Sequence, residues 1–532
     1  MSRTSTAGDD SVSTVRAKKV FIGLAVVVLV ISLMVALFYK IESNRGERLW
    51  ANLLDELRIA GEPTSIEETL ALRRPLPDGA ETGSNFCDHP LIAAHENFDR
   101  SSPPSEKREL LDPASAARFD ALRLPTGPDI PELPDFQVEQ RVDLQKWSQW
   151  LNTRAAPTHK HPGLSDAEFV LTSLGGRSAD HQDLVRAARE STRSRFPDRI
   201  IVDEDILWIV YTPDPHLEVF RDFCEAASLR ASAALALDEP QLARDCLALG
   251  FQLMAAIGDS AEYLVKERLP GDRALMGAVW TGLELGAWRD QDLWWLEQLF
   301  ARIQEGYQEQ TILCNRQWLG LHLQANKDPE TFRQRALMLL TLISDEPTSM
   351  RHKAIPRGWI LTNAEVAIRA IWEREIQPIQ AENFRLDGIQ TYSDFLEEKS
   401  TDRRNLFAPY LLNDSQQSMA ELGDAITVAR LIETACRIER NAHATGNYPE
   451  SVSGLPVDPL AENRGLIRYQ RLANGFQLWG VGQDLINDGG IVIPEFVPAW
   501  QSHHIRSRDP ERGDIVLTIN RDRDNKPASQ PE

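Results

Sequence analysis

Residues His216–Ile257 read HLEVFRDFCEAASLRASAALALDEPQLARDCLALGFQLMAAI. Alanine, leucine and phenylalanine recur at i, i+3 and i+4, the spacing of one face of an α-helix. Asp238-Glu239-Pro240 interrupts the pattern, because proline cannot extend a helix but suits the first turn of the next. The stretch predicts two helices joined by a tight turn. The same periodicity returns at Ala274–Trp288, Gln291–Glu305, Thr331–Ser344 and Ala364–Glu375. On the N-terminal side it covers Arg141–Arg154 and Ser165–Arg193, the latter divided by Gly175-Gly176. Successive helical hairpins predict a mainly α fold, a bundle or an irregular solenoid, over residues 136–415. The spacing does not reproduce the tetratricopeptide period.

Toward the N-terminus, Val20–Phe38 reads VFIGLAVVVLVISLMVALF, without a charge. About twenty apolar residues are what a helix needs to cross the hydrocarbon core. A cleaved signal peptide would carry a small-x-small site after its apolar run. Here Leu37-Phe38-Tyr39-Lys40 follows instead, with Tyr39 at an interfacial position. Arg3, Arg16, Lys18 and Lys19 precede the run. The positive-inside rule then predicts a cytoplasmic tail (1–19), a transmembrane helix (20–39) and the remaining mass outside.

Ile41–Ile59 continues as an amphipathic helix that ends at Gly61-Glu62-Pro63. Ser65 and Glu68 form a capping-box pattern for a short helix to Leu72. Arg74 to Pro134 is rich in proline and polar residues, which predicts an extended spacer within a juxtamembrane segment of 40–135.

The last segment, 416–532, changes character. Met419–Ala444 reads as one helix. Leu466–Leu472 and Phe476–Val481 flank Asn474-Gly475, a short-range hairpin signal, and Gly513–Ile519 is a further strand. This predicts a small α+β module.

Bulk properties narrow the partners. The chain of 532 residues carries a net charge of -21, so its surface repels phosphate backbones and nucleic acid is not an expected partner. Five cysteines, Cys87, Cys224, Cys246, Cys314 and Cys436, are scattered without a CxxC pair, which excludes a zinc site of the cysteine type and a disulfide framework, while one bridge remains open. There is no P-loop, GxSxG elbow or HExxH, and Gly480-x-Gly482 lacks a third glycine. His159, His161, His503 and His504 lie in polar sequence and read as solvated, as do His89 and His95 near Cys87. Trp288, Trp294 and Trp295 read as core packing, and Glu373 with Glu375 as a solvated helix face. Asp484 and Asp488 form the one carboxylate cluster that suggests an ion, against a plain Asx turn.

The C-terminal module resembles the globular end of type II secretion major pseudopilins. Gly446, Tyr448 and Pro449 after a long helix carry the likeness, with Asp458-Pro459, Tyr469, Gly475-Phe476, Gly482-x-Asp484 and Asp488-Gly489-Gly490. The resemblance implies a calcium site with Asp484, Asn487 and Asp488 as oxygen donors. A prepilin leader is missing at Lys19-Val20-Phe21. The whole chain resembles a broader set of large single-span bacterial envelope proteins. The matching residues are Glu56-Leu57, Gly61-Glu62, Ser194-Arg195-Phe196-Pro197, Trp280, Trp288, Asp290, Asp292-Leu293 and Pro356-Arg357-Gly358-Trp359. The expected function is that of a membrane-anchored, periplasmic interaction or scaffold protein with protein partners and no catalytic residues assigned. The alternatives are a component of a secretion or pilus system, and a hydrolase whose site is assembled from distant residues.

Overall fold

The computed structural model describes residues 10–65, 84–94, 113–125, 129–131, 133, 141–154, 163–191, 194, 215–258, 265–323, 357–380, 413–461, 465–482, 486–491 and 513–521, with Glu68, Phe395 and Glu398. The described helices are α1 (Asp10–Ala60), α2 (Pro90–Ala93), α3 (Pro113–Asp120), α4 (Leu144–Arg154), α5 (Asp166–Ser173) and α6 (Ala179–Glu190). They continue with α7 (Pro215–Ala236), α8 (Pro240–Gly258), α9 (Val265–Leu285), α10 (Asp290–Leu323), α11 (Arg357–Ile371), α12 (Gln377–Gln380) and α13 (Asn413–Thr445). Strands β1 (Arg468–Leu472), β2 (Gly475–Gly480) and β3 (Ile515–Asn520) complete the set. The protein is mostly α-helical, with one N-terminal apolar helix and a small unclosed C-terminal sheet. It divides into two compact units. One comprises residues 1–70, 318–371 and 394–413, the other residues 71–317, 372–393 and 414–532.

In the first unit, α1 is one unbroken helix of 51 residues, about 77 Å at the usual rise. Ser32, the hydroxyl in the apolar run, donates to the Val28 carbonyl at 2.8 Å and so leaves no unmet donor. The large apolar side chains from Phe21 to Phe38 are 45–73% exposed, all round the helix. A helix of this length and composition is able to cross a membrane. Past Lys40 the character changes to a buried stripe of Glu42, Gly46, Trp50, Leu53 and Leu57. Helix α11 lies along that stripe. Gly46 and Gly358 meet where the helices cross: a Cβ on Gly46 would stand 2.6 Å from Gly358 Cα. Trp359 Nε1 donates to Glu42 Oε2 at 3.1 Å, and Arg369 Nη1 donates to Glu56 Oε2 at 2.8 Å.

The second unit is built around α7. Ala226, Ala227, Ala231, Ala233 and Ala234 are all fully buried, so small side chains allow neighbours to approach on several faces. Helices α8, α9 and α5 pack against α7, with α6 on α8 and α4 on α5. The expected break between α7 and α8 falls at Asp238, which has φ 59°. Gly175, with φ 68°, ends α5 as expected. Helix α10 runs on to Leu323, well past the expected end at Glu305, because nothing at Gly306 breaks it. Thr331–Ser344, the spacer residues 95–112 and most of the short helix after Ser65 lie outside the described residues.

Within the proline-rich stretch, the structure differs from an extended spacer. Phe86–Asp88 forms a 3-10 turn and α2 and α3 follow, with Phe86, Cys87, Leu91, Ile92, Phe119 and Leu122 buried in the main core. Asn85 and His89 cap these short elements with their side chains, and prolines occupy first-turn positions, so the polar residues are local caps on apolar anchors. Glu375 also departs from expectation: it is buried, in a single π-helical turn at Trp372–Ile376. None of the five cysteines is in a disulfide, and all are buried.

The sheet is an antiparallel meander in the order β1-β2-β3. The hairpin expected at Asn474-Gly475 forms one residue earlier. Leu472 pairs with Gly475, which leaves Ala473 and Asn474 as the loop. Gly475 is the first residue of β2, and a Cβ there would sit 2.8 Å from the Ile519 carbonyl carbon on β3. Phe476, Leu478, Ile515, Leu517 and Ile519 belong to the same core as α7–α10 and α13. Trp280 Nε1 on α9 donates to the Thr518 carbonyl at 2.9 Å, joining the sheet to the bundle.

Candidate functional site

The glycine-ended turn before β3 is the place where the sequence suggested an ion. Gly489 and Gly490 have φ of 75° and 80°, which turns the chain tightly. Asn487 Oδ1 accepts from the Gly489 amide and from Trp479 Nε1 of β2, both at 3.2 Å. Those two donors occupy the two lone pairs of that oxygen. Asn487 and Asp488 are thus held in one turn, while Asp484 lies outside the described residues.

Sequence reasoning missed the carboxylate that closes the turn. Asp514 Oδ2 accepts the Gly490 amide at 2.7 Å, and the Asp514 amide donates to the Ile491 carbonyl at 3.2 Å. Asp514 is only 3% exposed, and its Oδ1 is buried without a hydrogen-bond partner. Burial pushes its carboxyl up from the usual range; the amides of Gly490 and Asp488 oppose this, and the charge of Asp488 adds to it. A buried orphan oxygen beside a second carboxylate offers an oxygen site for a hard cation, with the Arg468 charge already acting on the same carboxyl. Even so, no group of three or more His, Cys, Asp or Glu side chains is arranged to hold a metal among the described residues.

A second polar cluster lies inside the bundle. Arg230 of α7 is fully buried and donates from Nη1 to the carbonyls of Leu122 (2.6 Å) and Leu174 (2.9 Å). Its Nε and Nη2 have no hydrogen-bond partner, and its guanidinium stands 4.9 Å from the Phe223 ring centre. His181 Nε2 lies 3.6 Å from Cys246 Sγ. Burial, with the nearby Arg230 charge, drops the His181 imidazole to about 3, so it is neutral at ordinary pH. Burial pushes the Cys246 thiol up to about 11 despite Arg230. An inert thiol beside a neutral imidazole is no nucleophile pair. His181 also lines an open cleft of about 370 Å³ with Arg186, Arg189, Leu242 and Asp245, where Arg189 pairs with Asp245.

Two further networks are buried. Asp272 Oδ2 accepts from Arg268 Nε (2.6 Å) and from the Tyr307 hydroxyl (2.7 Å). Glu439 accepts from Arg521 Nη2 at 2.7 Å and from the Tyr448 hydroxyl at 2.9 Å. The second network ties α13 to the end of β3. Tyr448 therefore acts through Glu439, and Asp458 accepts the amides of Leu460 (3.0 Å) and Val481 (2.7 Å) as a loop cap.

The remaining sequence candidates separate. His89 caps α2 and reaches Asp183 at 3.2 Å. Trp288 is buried and donates to the Val279 carbonyl at 3.0 Å, Trp295 packs partly buried under Arg244, and Trp294 is exposed. His95, His159, His161, His503 and His504 lie outside the described residues.

No family model, curated protein or solved structure matches this chain.

Proposed function

We propose that this protein is a membrane-anchored scaffold of the bacterial envelope, with its N-terminus in the cytoplasm and its helical mass in the periplasm. The observation that supports the reading is the continuity of α1. An exposed apolar segment runs without a break into a helix clamped by α11, so the anchor continues directly into a folded unit. A scaffold needs a fixed relation to its membrane, and a helix held on its flank supplies one. The basic residues before Val20 support the orientation. Protease added to spheroplasts should remove nearly all of the chain beyond Lys40, and mild-detergent extraction should recover it with stoichiometric protein partners. Full protection of the large domain would overturn the orientation. Recovery as the bare chain after in-cell crosslinking would overturn the scaffold.

A second component concerns the turn before β3. The orphaned Asp514 Oδ1 supports weak calcium binding there, with Asp488 and Asp514 as carboxylate donors. The cation would neutralise the repulsion between carboxylates and brace the sheet. Binding only to the folded chain adds about 1–3 kcal/mol at ten- to a hundredfold excess over the dissociation constant. The full chain should melt higher with calcium than with chelator, and Asp488→Ala should remove the difference. Identical melting of the wild type in both buffers would reduce the site to a plain turn, and with it the pseudopilin likeness to shape alone.

A further inference from the structure

The first turn of α11 has a position that the scaffold reading does not use. Helices α1 and α11 run parallel. Trp359 meets Glu42, Gly358 meets Gly46, and ten residues along α11 Arg369 meets Glu56. The N-terminus of α11 therefore points the same way as the N-terminus of α1, toward the apolar run. The level is fixed as well. The Trp359 ring packs edge-on against Phe38, the last residue of that run, with centroids 6.1 Å apart. Phe38 in turn packs edge-on with Tyr39 at 6.1 Å.

The heights follow from helix geometry. Phe21–Phe38 spans about 27 Å along the axis, close to the hydrocarbon thickness of about 30 Å. Phe38 thus marks the edge of the hydrocarbon. Glu42 is one turn further, about 6 Å. The headgroup layer on each side is about 5–8 Å deep, from a total thickness of about 40–45 Å. The Trp359 ring, bridging Phe38 and Glu42, falls within that layer, while the backbone at Gly358, against Glu42 and Gly46, stands about 6–12 Å beyond Phe38, at its outer edge. Tryptophan suits this zone, with an apolar ring and one donor, and the donor is met by Glu42 at 3.1 Å. Arg357 and Lys40 are both exposed, and neither has an ion-pair partner among the described residues. One flanks Trp359 in the chain and the other Tyr39, so aromatic rings and cations occur together at the end of the apolar run, as at a membrane interface.

We propose that the start of α11, through Arg357 and the half-buried Trp359, is a second membrane contact that reaches the phospholipid headgroup layer around the end of α1. The occupant is the bilayer itself, because the surface is continuous with the exposed apolar face from Phe21 to Phe38. Anchoring by two helices restrains the tilt and rotation of α1, which a single span leaves to lipid packing. The inference rests on the reading of Val20–Phe38 as a membrane span.

The test keeps the two apart. The full chain is reconstituted in vesicles of phosphatidylethanolamine and phosphatidylglycerol that contain a nitroxide on a fraction of headgroups. An environment-sensitive fluorophore is attached at Arg357→Cys, at Leu29→Cys or at Asn52→Cys. All three parent positions are exposed, whereas the five native cysteines are buried. Asn52 stands about 21 Å beyond Phe38 along α1. The Arg357 probe should be blue-shifted and quenched by the headgroup nitroxide at least threefold more than the Asn52 probe, while Leu29 responds to a nitroxide placed deep on the acyl chain. An Arg357 probe that emits as in water, with Leu29 still buried in lipid, overturns the proposal and leaves the span intact. Equal quenching at Arg357 and Asn52 also overturns it, because α1 would then lie along the surface. A Leu29 probe exposed to water removes the span and the proposal together.

Discussion

Gly46→Ala separates two opposite expectations for the anchor. Intrinsic helix propensity favours alanine over glycine by about 1 kcal/mol, so α1 alone would gain stability. The crossing with α11 demands the reverse. A Cβ on Gly46 would lie 2.6 Å from Gly358 Cα and 2.9 Å from its carbonyl carbon, where about 3.5–4.0 Å is needed. The helices must part by about 1 Å at this point. Such a gap forfeits a quarter to a half of the dispersion well for the atoms that face it. It also lengthens the Trp359–Glu42 hydrogen bond, 3.1 Å in the native packing, to a charged acceptor of a class that contributes about 1.5–3 kcal/mol. A cost of about 2–3 kcal/mol less the propensity gain leaves a net loss of about 1–2 kcal/mol. Amide exchange in Ile360–Ile368 of α11 should then accelerate about tenfold, since about 1.4 kcal/mol corresponds to one decade. The readout is hydrogen–deuterium exchange on the reconstituted full chain. Gly23→Ala is the control, because nothing lies within 4 Å of a Cβ there, and it should leave α11 unchanged. Unchanged or slower exchange in the Gly46→Ala variant would refute the close crossing.

Three other substitutions probe the second unit. Burial pushes the Glu225 carboxyl up to about 7 from its ordinary value near 4.5, with Arg221 opposing the shift and Asp222 adding to it. The folded state therefore holds the proton more tightly, and stability is lost as pH rises from about 4.5 through 7, by about 3 kcal/mol at most. Glu225→Gln should abolish that part of the melting-temperature decline between pH 5 and pH 8, and a parallel decline in both proteins would contradict it. Gly475→Ala should cost about 1–3 kcal/mol by overpacking against Ile519, while Asn474→Ala stays within about 0.5 kcal/mol. Thermal melts with equal losses at the two positions would place the cost in the turn rather than in the approach of β3. Asp272→Ala removes a buried carboxylate that accepts from both Arg268 and Tyr307 and should lower stability by about 3–5 kcal/mol, whereas joint replacement by Arg268→Met and Asp272→Leu should recover most of it. Denaturant titrations in which the double variant is no better than the single would refute this account.

The helical parts of the fold were legible because their signal is local. In α7 and α8 the apolar spacing and Asp238-Glu239-Pro240 lie within a few residues of one another, and the break appears where the sequence puts it. The apolar span was legible for the same reason. Phe86, Leu91 and Phe119 were not, because single apolar residues among prolines have no period, and only the core that receives them gives them meaning. The hairpin was legible to within one residue. Asn474-Gly475 signals a turn, but Gly475 is required by the approach of β3, a strand some forty residues later in the chain. The candidate site shows the same limit. Asn487 and Asp488 advertise a turn through their neighbours Gly489 and Gly490. Asp514, whose carboxylate accepts the Gly490 amide, carries no local mark beyond its place before a strand.

Buried polar groups answer a question that the hydrophobic pattern leaves open. Helix α7 is lined with alanines, and alanine faces give neighbouring helices little steric key to fix their register. Arg230 supplies one by binding two carbonyls at once: Leu122, just past α3, and Leu174, just past α5. A shift of either segment by one residue would move its carbonyl beyond hydrogen-bond reach, and leave a fully buried guanidinium with fewer partners still. Trp280 does the same for the sheet by donating to Thr518, and Arg521 by reaching Glu439. These tethers join segments far apart in sequence, and their hydrogen bonds form together only in one alignment. Apolar burial thus explains why the second unit is compact, while Arg230, Trp280 and Glu439 explain why its segments meet in one register.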